Sequence, residues 1–505
     1  MKLFKTSQIT EIDQYTIANE PIADIDLMER AALTVVNYLV NETDASGELM
    51  VFCGPGNNGG DGLAVARLLA DVENRFSVKV FFLHFNRDLK GSPAINLDRL
   101  KNQNLVEVCF LTDENDLPPI NSDSLIIDAL FGSGLNRPLE GFPAKVIHHL
   151  NQSGAVLLSI DIPSGLMGED NTKNIDGNII RAHKTITFQF PKLSFLFPEN
   201  ECYVGDWEVT NIGLHPDVLR NTPTSYFFTT NIEAKKLIKT RTKFSHKGTF
   251  GHALLIAGTY GKMGAAVLAS RACLRSGVGL LTTHIPHSAL SILQTAVPEA
   301  MTSIDDSDLM FTAIEQTKNY SAIAIGPGIG TKVNTKRGLK VLLQNHNDPM
   351  ILDADALNIL GENKDWLELL PHHSILTPHP KEFERIAGVS INGYQRMQLA
   401  INFAQQYKVI LVVKGANTMV INPLGEVWFN STGNPGMASA GSGDALSGIL
   451  LGLLAQGYPP FDAARLGVYV HGLAGDIAAA RRGYESLIAS DLIENMGEAF
   501  KLLHK

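Results

Sequence analysis

Twice along its 505 residues the chain runs through the same alternation of short β-rich apolar runs and helix-period segments, and this double rhythm constrains the fold more than any other feature. In the first half, GELMVFC, VKVFFLHF, SLIIDALF, AVLLSIDIPSG and TITFQF are interleaved with helical patterns. One of these, GLAVARLLADV, carries an apolar stripe at Leu63, Ala66, Leu69 and Ala70. Continuous β-branched runs suit strands buried on both faces, and their alternation with helices predicts a parallel α/β sheet. The pattern lapses between about 216 and 243, where polar, proline and basic residues mix. It then restarts with HALLIAG, AAVLASRACLRSG, GLLTTHIP, YSAIAIGPGIG, PMILDADALNIL, HSILTPHP, VILVVKG and TMVINP. Two α/β domains are expected, 1–225 and 226–505.

Composition narrows the function classes. Hydrophobic residues make up 45% and charged residues 19%, the balance of an ordinary globular protein. A net charge of -10 gives no basic footprint for nucleic acid. The most apolar stretch, LSGILLGLLA at 446–455, is too short and glycine-rich to span a bilayer. MKLFKTSQITEID has no apolar run after its lysines, so a signal peptide is not expected. Cys53, Cys109, Cys202 and Cys273 are widely spaced with no CxxC, which reads as reduced thiols. A cytoplasmic protein with no nucleic-acid or membrane partner is expected.

In CGPGNNGGDG, the residues Gly54, Gly56 and Gly59 spell G-x-G-x-x-G between a strand and a helix. Backbone N–H groups and the helix dipole make that junction an anion site. A dinucleotide fingerprint also wants an acid about 20 residues on, at the end of the second strand. Phe85, Asn86 and Arg87 stand there, and the acid is missing or displaced to Asp88. With no hydride-transfer set either, a plain NAD oxidoreductase is disfavoured. Asn57, Asn58 and Asp61 add side-chain oxygens to the loop. Asp61 reads equally well as an N-cap of the next helix, whereas the Asn58 amide can ligate a hard cation or a nucleotide. Asp128 ends another strand before a second glycine loop, Gly132, Ser133, Gly134, Leu135, Asn136, Arg137 and Pro138. Asp161 ends a third, followed by Ser164 and Gly165. Ligands of open α/β sheets bind beyond such strand ends. Any one aspartate is explained as a cap; three converging strand ends are less easily explained that way.

GNNGGDG, DALFGSGL and SIDIPSG together resemble the N-terminal domain of the YjeF family, the NAD(P)H-hydrate epimerases, over about residues 8 to 215. The resemblance implies a Rossmann-like three-layer αβα fold. It implies that Asn57, Asn58, Gly59, Gly60 and Asp61, with the loop from Gly132 to Pro138, hold the hydrated nucleotide. It further implies a K+ site at Asn58, Asp128 and Ser164, and substrate contact or catalysis by Asp161. Oxygen-rich ligation suits a hard cation. The substrate carries a hydroxyl at C6 of the nicotinamide ring. Exchanging its R and S forms requires C6 to lose and regain that oxygen, a task for a carboxylate acting as acid or base or steadying a cationic ring. Asp161 is the first candidate, with Asp128 a structural runner-up.

In the second half the strongest stretch is GNPGMASAGSGDALSG. Gly441, Ser442 and Gly443 precede Asp444, and an apolar helix follows at once. Successive amides at a helix start make an anion hole for a transferring phosphoryl group, and the adjacent aspartate can take a proton from an attacking hydroxyl. Upstream, an apolar strand ends in Lys414, Gly415, Ala416, Asn417 and Thr418, a setting that suits a nucleotide phosphate. His379 is displayed between two prolines, Gly328 lies in another strand-end loop, and Ala266 lies early in a small-residue helix.

HKGTFG, GKMGAA, GPG, LDADALN, TPHPKEF, KGANT and GSGD resemble the C-terminal domain of the YjeF family, the ADP-dependent NAD(P)H-hydrate dehydratases, over about residues 235 to 500. This implies a ribokinase-like fold. Ala266, Gly328, His379 and Asp444 should contact the hydrated substrate, and Lys414 to Thr418 with Gly443 the adenine nucleotide. Ser442 stands where many ribokinase-like kinases have alanine, which favours the dehydratase. Mg2+ and ADP are the implied cofactor and co-substrate, and a homo-oligomer is expected. The rivals are a small-molecule kinase for a vitamin or sugar precursor, and an N-terminal half that only binds.

Overall fold

Alternate residues of the strand Gly47–Cys53 point to opposite faces, and both faces are covered. Leu49, Val51 and Cys53 join a core with the helices Asp24–Asn41 and Asn57–Ala70. Met50 and Phe52 join a separate core with the helix Phe142–Gln152. This is the three-layer arrangement that an uninterrupted apolar strand requires. The computed structural model describes residues 1–72, 75–84, 89–174, 177–314 and 316–504. Residues 2–224 with 392–394 form one unit, and Met1 with 225–391 and 395–505 the other.

The sheet of the N-terminal unit is wholly parallel. Its order is Glu107–Leu111, Phe76–Leu83, Gly47–Cys53, Leu125–Ala129, Val156–Ile160, Lys184–Phe188, Asp206–Thr210. The winding reverses between Gly47–Cys53 and Leu125–Ala129, so the loops after these strands diverge and open a crevice. In that register Asp128 lies between Phe52 and Ser159. The two outermost strands are not expected from the sequence. Both lie at sheet edges, where one flank is uncovered and polar residues such as Glu107, Asp206 and Glu208 interrupt the apolar run. The helix after the first glycine loop begins at Asn57 with Gly56 as its N-cap, so Asp61 lies inside the helix and is not its cap. Residues Phe85 to Asp88, where the ribose acid of a dinucleotide site is sought, lie outside the described residues.

The second sheet runs Tyr226–Thr229, Val427–Asn430, Met419–Ile421, Ile410–Val413, Ile375–Leu376, Ile351–Leu352, Ala322–Ile325, His252–Ile256, Leu280–Ile285, Met301–Ile304. Met419–Ile421 is antiparallel to both its neighbours, and the remaining pairs are parallel. Above one face the helix Ser442–Ala455 lies against Met263–Arg275 at glycine contacts. A Cβ added at Gly448 would sit 2.1 Å from the carbonyl oxygen of Ala269. The close approach fixes the axis of the helix whose first turn carries Asp444. Overpacking such a contact costs about 1–3 kcal/mol. Gly448→Ala should therefore lower the stability of the C-terminal unit by about that amount in urea unfolding.

Candidate functional sites at the strand ends

A cavity of about 480 Å³ opens at the crevice of the N-terminal sheet. Five loops and one helix line it: 55–58 and Asp61 after the first strand, 130–135 after Leu125–Ala129, Asp161 after Val156–Ile160, Phe188, Gln189, Phe190 and Lys192 at the end of Lys184–Phe188, and Ile212 and Leu214 after Asp206–Thr210. The helix Thr6–Asn19 adds Ile9, Thr10 and Asp13. Asn57, Asn58, Asp61, Gly132, Ser133, Gly134, Leu135 and Asp161 thus meet in one place. Arg137 and Pro138, with Leu135, line a neighbouring cavity of about 710 Å³. Gly59, Gly60 and Asn136 line neither. Gly59 has a different task. A Cβ there would fall 1.8 Å from the carbonyl oxygen of Gly54, so glycine lets the turn close on itself.

Asp161 stands at φ +63, a left-handed conformation costly for a residue with a Cβ. It is held there by its neighbours. Lys192 Nζ donates to Oδ1 at 2.5 Å, Thr187 Oγ1 at 3.4 Å and the amide of Phe188 at 3.3 Å. Lys192 is 2% exposed, so the ion pair is sealed from water on the lysine side. All three donors take Oδ1, and among the described residues none takes Oδ2. Asp61 meets the same cavity, and burial pushes its carboxyl well above the usual range, with Asp161, Asp13 and Asp24 adding repulsion.

Asp128 lies below the cavity floor, fully buried. Ser159 Oγ donates to it at 2.7 Å, the Ser164 amide at 2.8 Å and Ser164 Oγ at 2.5 Å. Burial still holds its carboxyl above the ordinary value against these bonds. Ser164 Oγ also accepts from the Phe131 amide at 2.8 Å. Asn58 approaches the next residue of that loop, since a Cβ on Gly132 would lie 3.0 Å from the Asn58 Cβ. Asn58 is 6% exposed, and neither its Oδ1 nor its Nδ2 has a hydrogen-bond partner. Ser164 thus ties Asp128 to the Phe131 backbone, and Asn58 packs at Gly132 with its amide unsatisfied. No cluster of three His, Cys, Asp or Glu residues fit to hold a metal exists among the described residues.

The C-terminal cavity, about 780 Å³, brings together His379, Lys414, Gly415, Ala416, Thr418, Gly443 and Asp444. Gly441 caps the helix Ser442–Ala455 at φ +91, and the first amides of that helix have no intrahelical partner. Burial, reinforced by Asp353, pushes the Asp444 carboxyl up to about 6. Asp353 is the hub. It is 2% exposed and accepts from Thr377 Oγ1 at 2.7 Å, Ser447 Oγ at 2.6 Å and Lys414 Nζ at 3.0 Å. Burial opposes its charge, but Lys414 and the hydroxyls outweigh it and hold the carboxyl below the usual range. Lys414 also lies 3.8 Å from Glu382. Burial works to lower its ammonium, and Asp353 and Glu382 more than reverse that.

His379 caps the helix Pro380–Ala387: its Nδ1 accepts from the amides of Lys381 and Glu382, which places the ring hydrogen on Nε2. His471, half-buried on the wall of this cavity and lowered to about 4 by its loss of solvent, is neutral at pH 7 and donates from Nε2 to the Ser442 carbonyl at 3.0 Å. Ala266 is fully buried under Gly258. Gly328 abuts Ala265 at the start of the same helix, and Asn417 ends the lysine loop; none of these three lines the 780 Å³ cavity.

Asp13, Lys192, Asp353, Glu382 and His471 are not singled out by the sequence. Lys192 follows the strand run TITFQF within a few residues, and Asp353 follows PMIL directly, so strand-end position was the available signal. Asp13 carries none.

A two-unit α/β chain with a nucleotide-type cleft at the carboxyl ends of each sheet defines an enzyme class that handles nucleotides twice. The comparisons sharpen this. Residues 24–194 match the family described as YjeF-related protein N-terminus, and 253–497 the family described as NAD(P)H-hydrate dehydratase. A bifunctional NAD(P)H-hydrate repair enzyme of Moorella thermoacetica is 35% identical, covering 98% of this chain and 96% of its own. The enzyme of the same description from Coxiella burnetii is 34% identical, with 98% of each covered. A crystal structure of the ADP/ATP-dependent NAD(P)H-hydrate dehydratase from Bacillus subtilis, co-crystallised with ATP/Mg2+, is 31% identical over 55% of this chain and 98% of its own, with a TM-score of 0.48. The chain belongs to the bifunctional NAD(P)H-hydrate repair enzymes.

The Asp161–Lys192 pair sets a stability test. Removing one partner of a buried ion pair costs about 3–5 kcal/mol, so Lys192→Met should destabilise the N-terminal unit by roughly that amount at pH 7, and Lys192→Arg by less, in urea unfolding.

Proposed function

We propose that the N-terminal unit interconverts the R and S hydrates of NADH and NADPH, and that the C-terminal unit dehydrates the S form with ADP. The observation that carries this is the pairing of two strand-end cavities of different chemistry in one chain: a carboxylate-rich one around Asp161, and one where Asp444 stands in the first turn of a helix across from Lys414.

In the first cavity the dinucleotide lies along the loops 55–58 and 130–135, and Asp161 reaches C6. Loss of the C6 oxygen leaves a cationic ring, which the carboxylates of the wall stabilise. The residues present fit a hard monovalent cation: Asn58 offers an unsatisfied amide oxygen, Ser164 a hydroxyl and Asp128 a buried charge. Bound K+ would supply charge balance for Asp128 and brace the loop after it.

In the second cavity Asp444 takes the proton of the C6 hydroxyl, and the terminal phosphoryl of ADP moves to that oxygen. The amides of Gly443 and Asp444 face the charge that develops, while Lys414, Gly415, Ala416 and Thr418 hold the nucleotide and His379 bounds the ring; Ala266 and Gly328, which do not line the cavity, take no direct part. The ring nitrogen then expels phosphate, leaving an N1=C6 iminium, and loss of a proton from C5 to water forms C5=C6 and gives NAD(P)H beside AMP and phosphate. Mg2+ would neutralise the diphosphate, and it would arrive with those phosphates, because Asp353 already spends both oxygens on Thr377, Ser447 and Lys414. A cytoplasmic homo-oligomer is the setting that fits this reading. No helix among the described residues is long and apolar enough to cross a membrane.

Incubation with mixed R and S hydrates and ADP should restore the NADH absorbance fully. Asp161→Asn should recover only the S fraction, and Asp444→Asn nothing. Loss of S alone by the unmodified chain would refute the epimerase assignment, and a phosphorylated vitamin or sugar made from ATP would favour the kinase. The dehydration rate should fall as the pH drops through about 6, since protonated Asp444 cannot act as a base. A separate test concerns the cation: K+ should raise the melting temperature of the N-terminal unit in the native chain and not in Asn58→Leu.

A further inference from the structure

The N-terminal cavity holds more acid–base groups than one aspartate accounts for. The helix Thr6–Asn19 turns Ile9, Thr10 and Asp13 toward it, residues that share a helix face by their spacing. Asp13 lines the cavity yet has no hydrogen bond or ion pair among the described residues. Asp161 is different: its Oδ1 is committed to Lys192. The buried, unpartnered Asn58 amide on the same wall independently shows that the cavity is built around a ligand the chain does not itself supply.

We propose that Asp13 is a second catalytic residue of this site, and that Asp13 and Asp161 divide the two proton transfers of the epimerisation between them. The proposal rests on the epimerase reading above. In the forward half, the Asp13 carboxyl gives its proton to the C6 hydroxyl. The C6–O bond breaks, water departs, and the ring-nitrogen lone pair forms N1=C6. A solvent water then bonds C6 on the other face. Its proton passes to the open Oδ2 of Asp161 and returns through water to Asp13, so protons, oxygen and charge balance over the cycle. The groups facing Asp13 support the division. Asp161, Asp24 and Asp61 are acidic, and Lys192 alone is basic. Burial and then the Asp161 charge push the Asp13 carboxyl up to about 6, so a useful fraction carries a proton near neutrality.

The test uses the full-length chain and pure R hydrate, following its conversion to S. Asp13→Asn should lower kcat by about 100-fold or more with KM changed less than threefold, and Asp13→Glu should recover at least tenfold of the loss. The native chain should slow as the pH rises above about 6, where the acid loses its proton, and Asp13→Asn should lack that limb. ADP-dependent dehydration of pure S hydrate by the same variants reports on the other unit and should be unchanged. If Asp13→Asn keeps kcat within threefold and the native pH profile, Asp13 is not the acid. If the native chain fails to interconvert R and S at all, the epimerase reading falls with it, a result distinct from the first.

Discussion

A fully buried carboxylate at the end of a central parallel strand organises each unit. Asp353 gathers Thr377 from the next strand end, Lys414 from the one beyond, and Ser447 from the helix that begins with the glycine loop. Asp128 gathers Ser159 from its neighbour strand and Ser164 from the following turn. An ionised carboxylate taken from water must be compensated several times over, so each loop that supplies a donor is fixed relative to the others. The cavities are the spaces left between loops tied to one buried charge.

The two solutions differ in how that charge is compensated. In the C-terminal unit an ammonium joins the hydroxyls, and Asp353 is held ionised. In the N-terminal unit no cation among the described residues is a hydrogen-bond partner of Asp128, and burial lifts its carboxyl despite three hydrogen bonds from serines. Among the described residues the sole ammonium lining that cavity, Lys192, is committed to Asp161. The site is thus short of positive charge, which suits a substrate ring that turns cationic in mid-reaction.

Much of this was legible in the sequence. Strands buried on both faces announce themselves as apolar runs, and the glycine loops at their ends carry most of the residues that line the cavities. The edge strands Glu107–Leu111 and Asp206–Thr210 escaped because an edge strand needs only part of its surface apolar. Of the two readings open for Asp61, helix cap and site residue, the structure removes the first, because Gly56 caps the helix, and leaves Asp61 on the cavity wall. Asp13 was invisible for a different reason: it reaches the cavity only because tertiary packing lays the helix Thr6–Asn19 across the strand ends, and no local pattern encodes that. Lys192 and Asp353 stand at strand ends, but no local pattern shows that each is buried and paired, because their partners Asp161 and Lys414 are distant in sequence.

The lysine at the end of Ile410–Val413 has one more consequence. Lys414 meets a nucleotide with its charge already shared between Asp353 and Glu382. A phosphate gains less from a lysine so engaged than from a free one, so more of its hold falls to the backbone amides of the glycine loops, and discrimination there follows the geometry of the anion more than its charge.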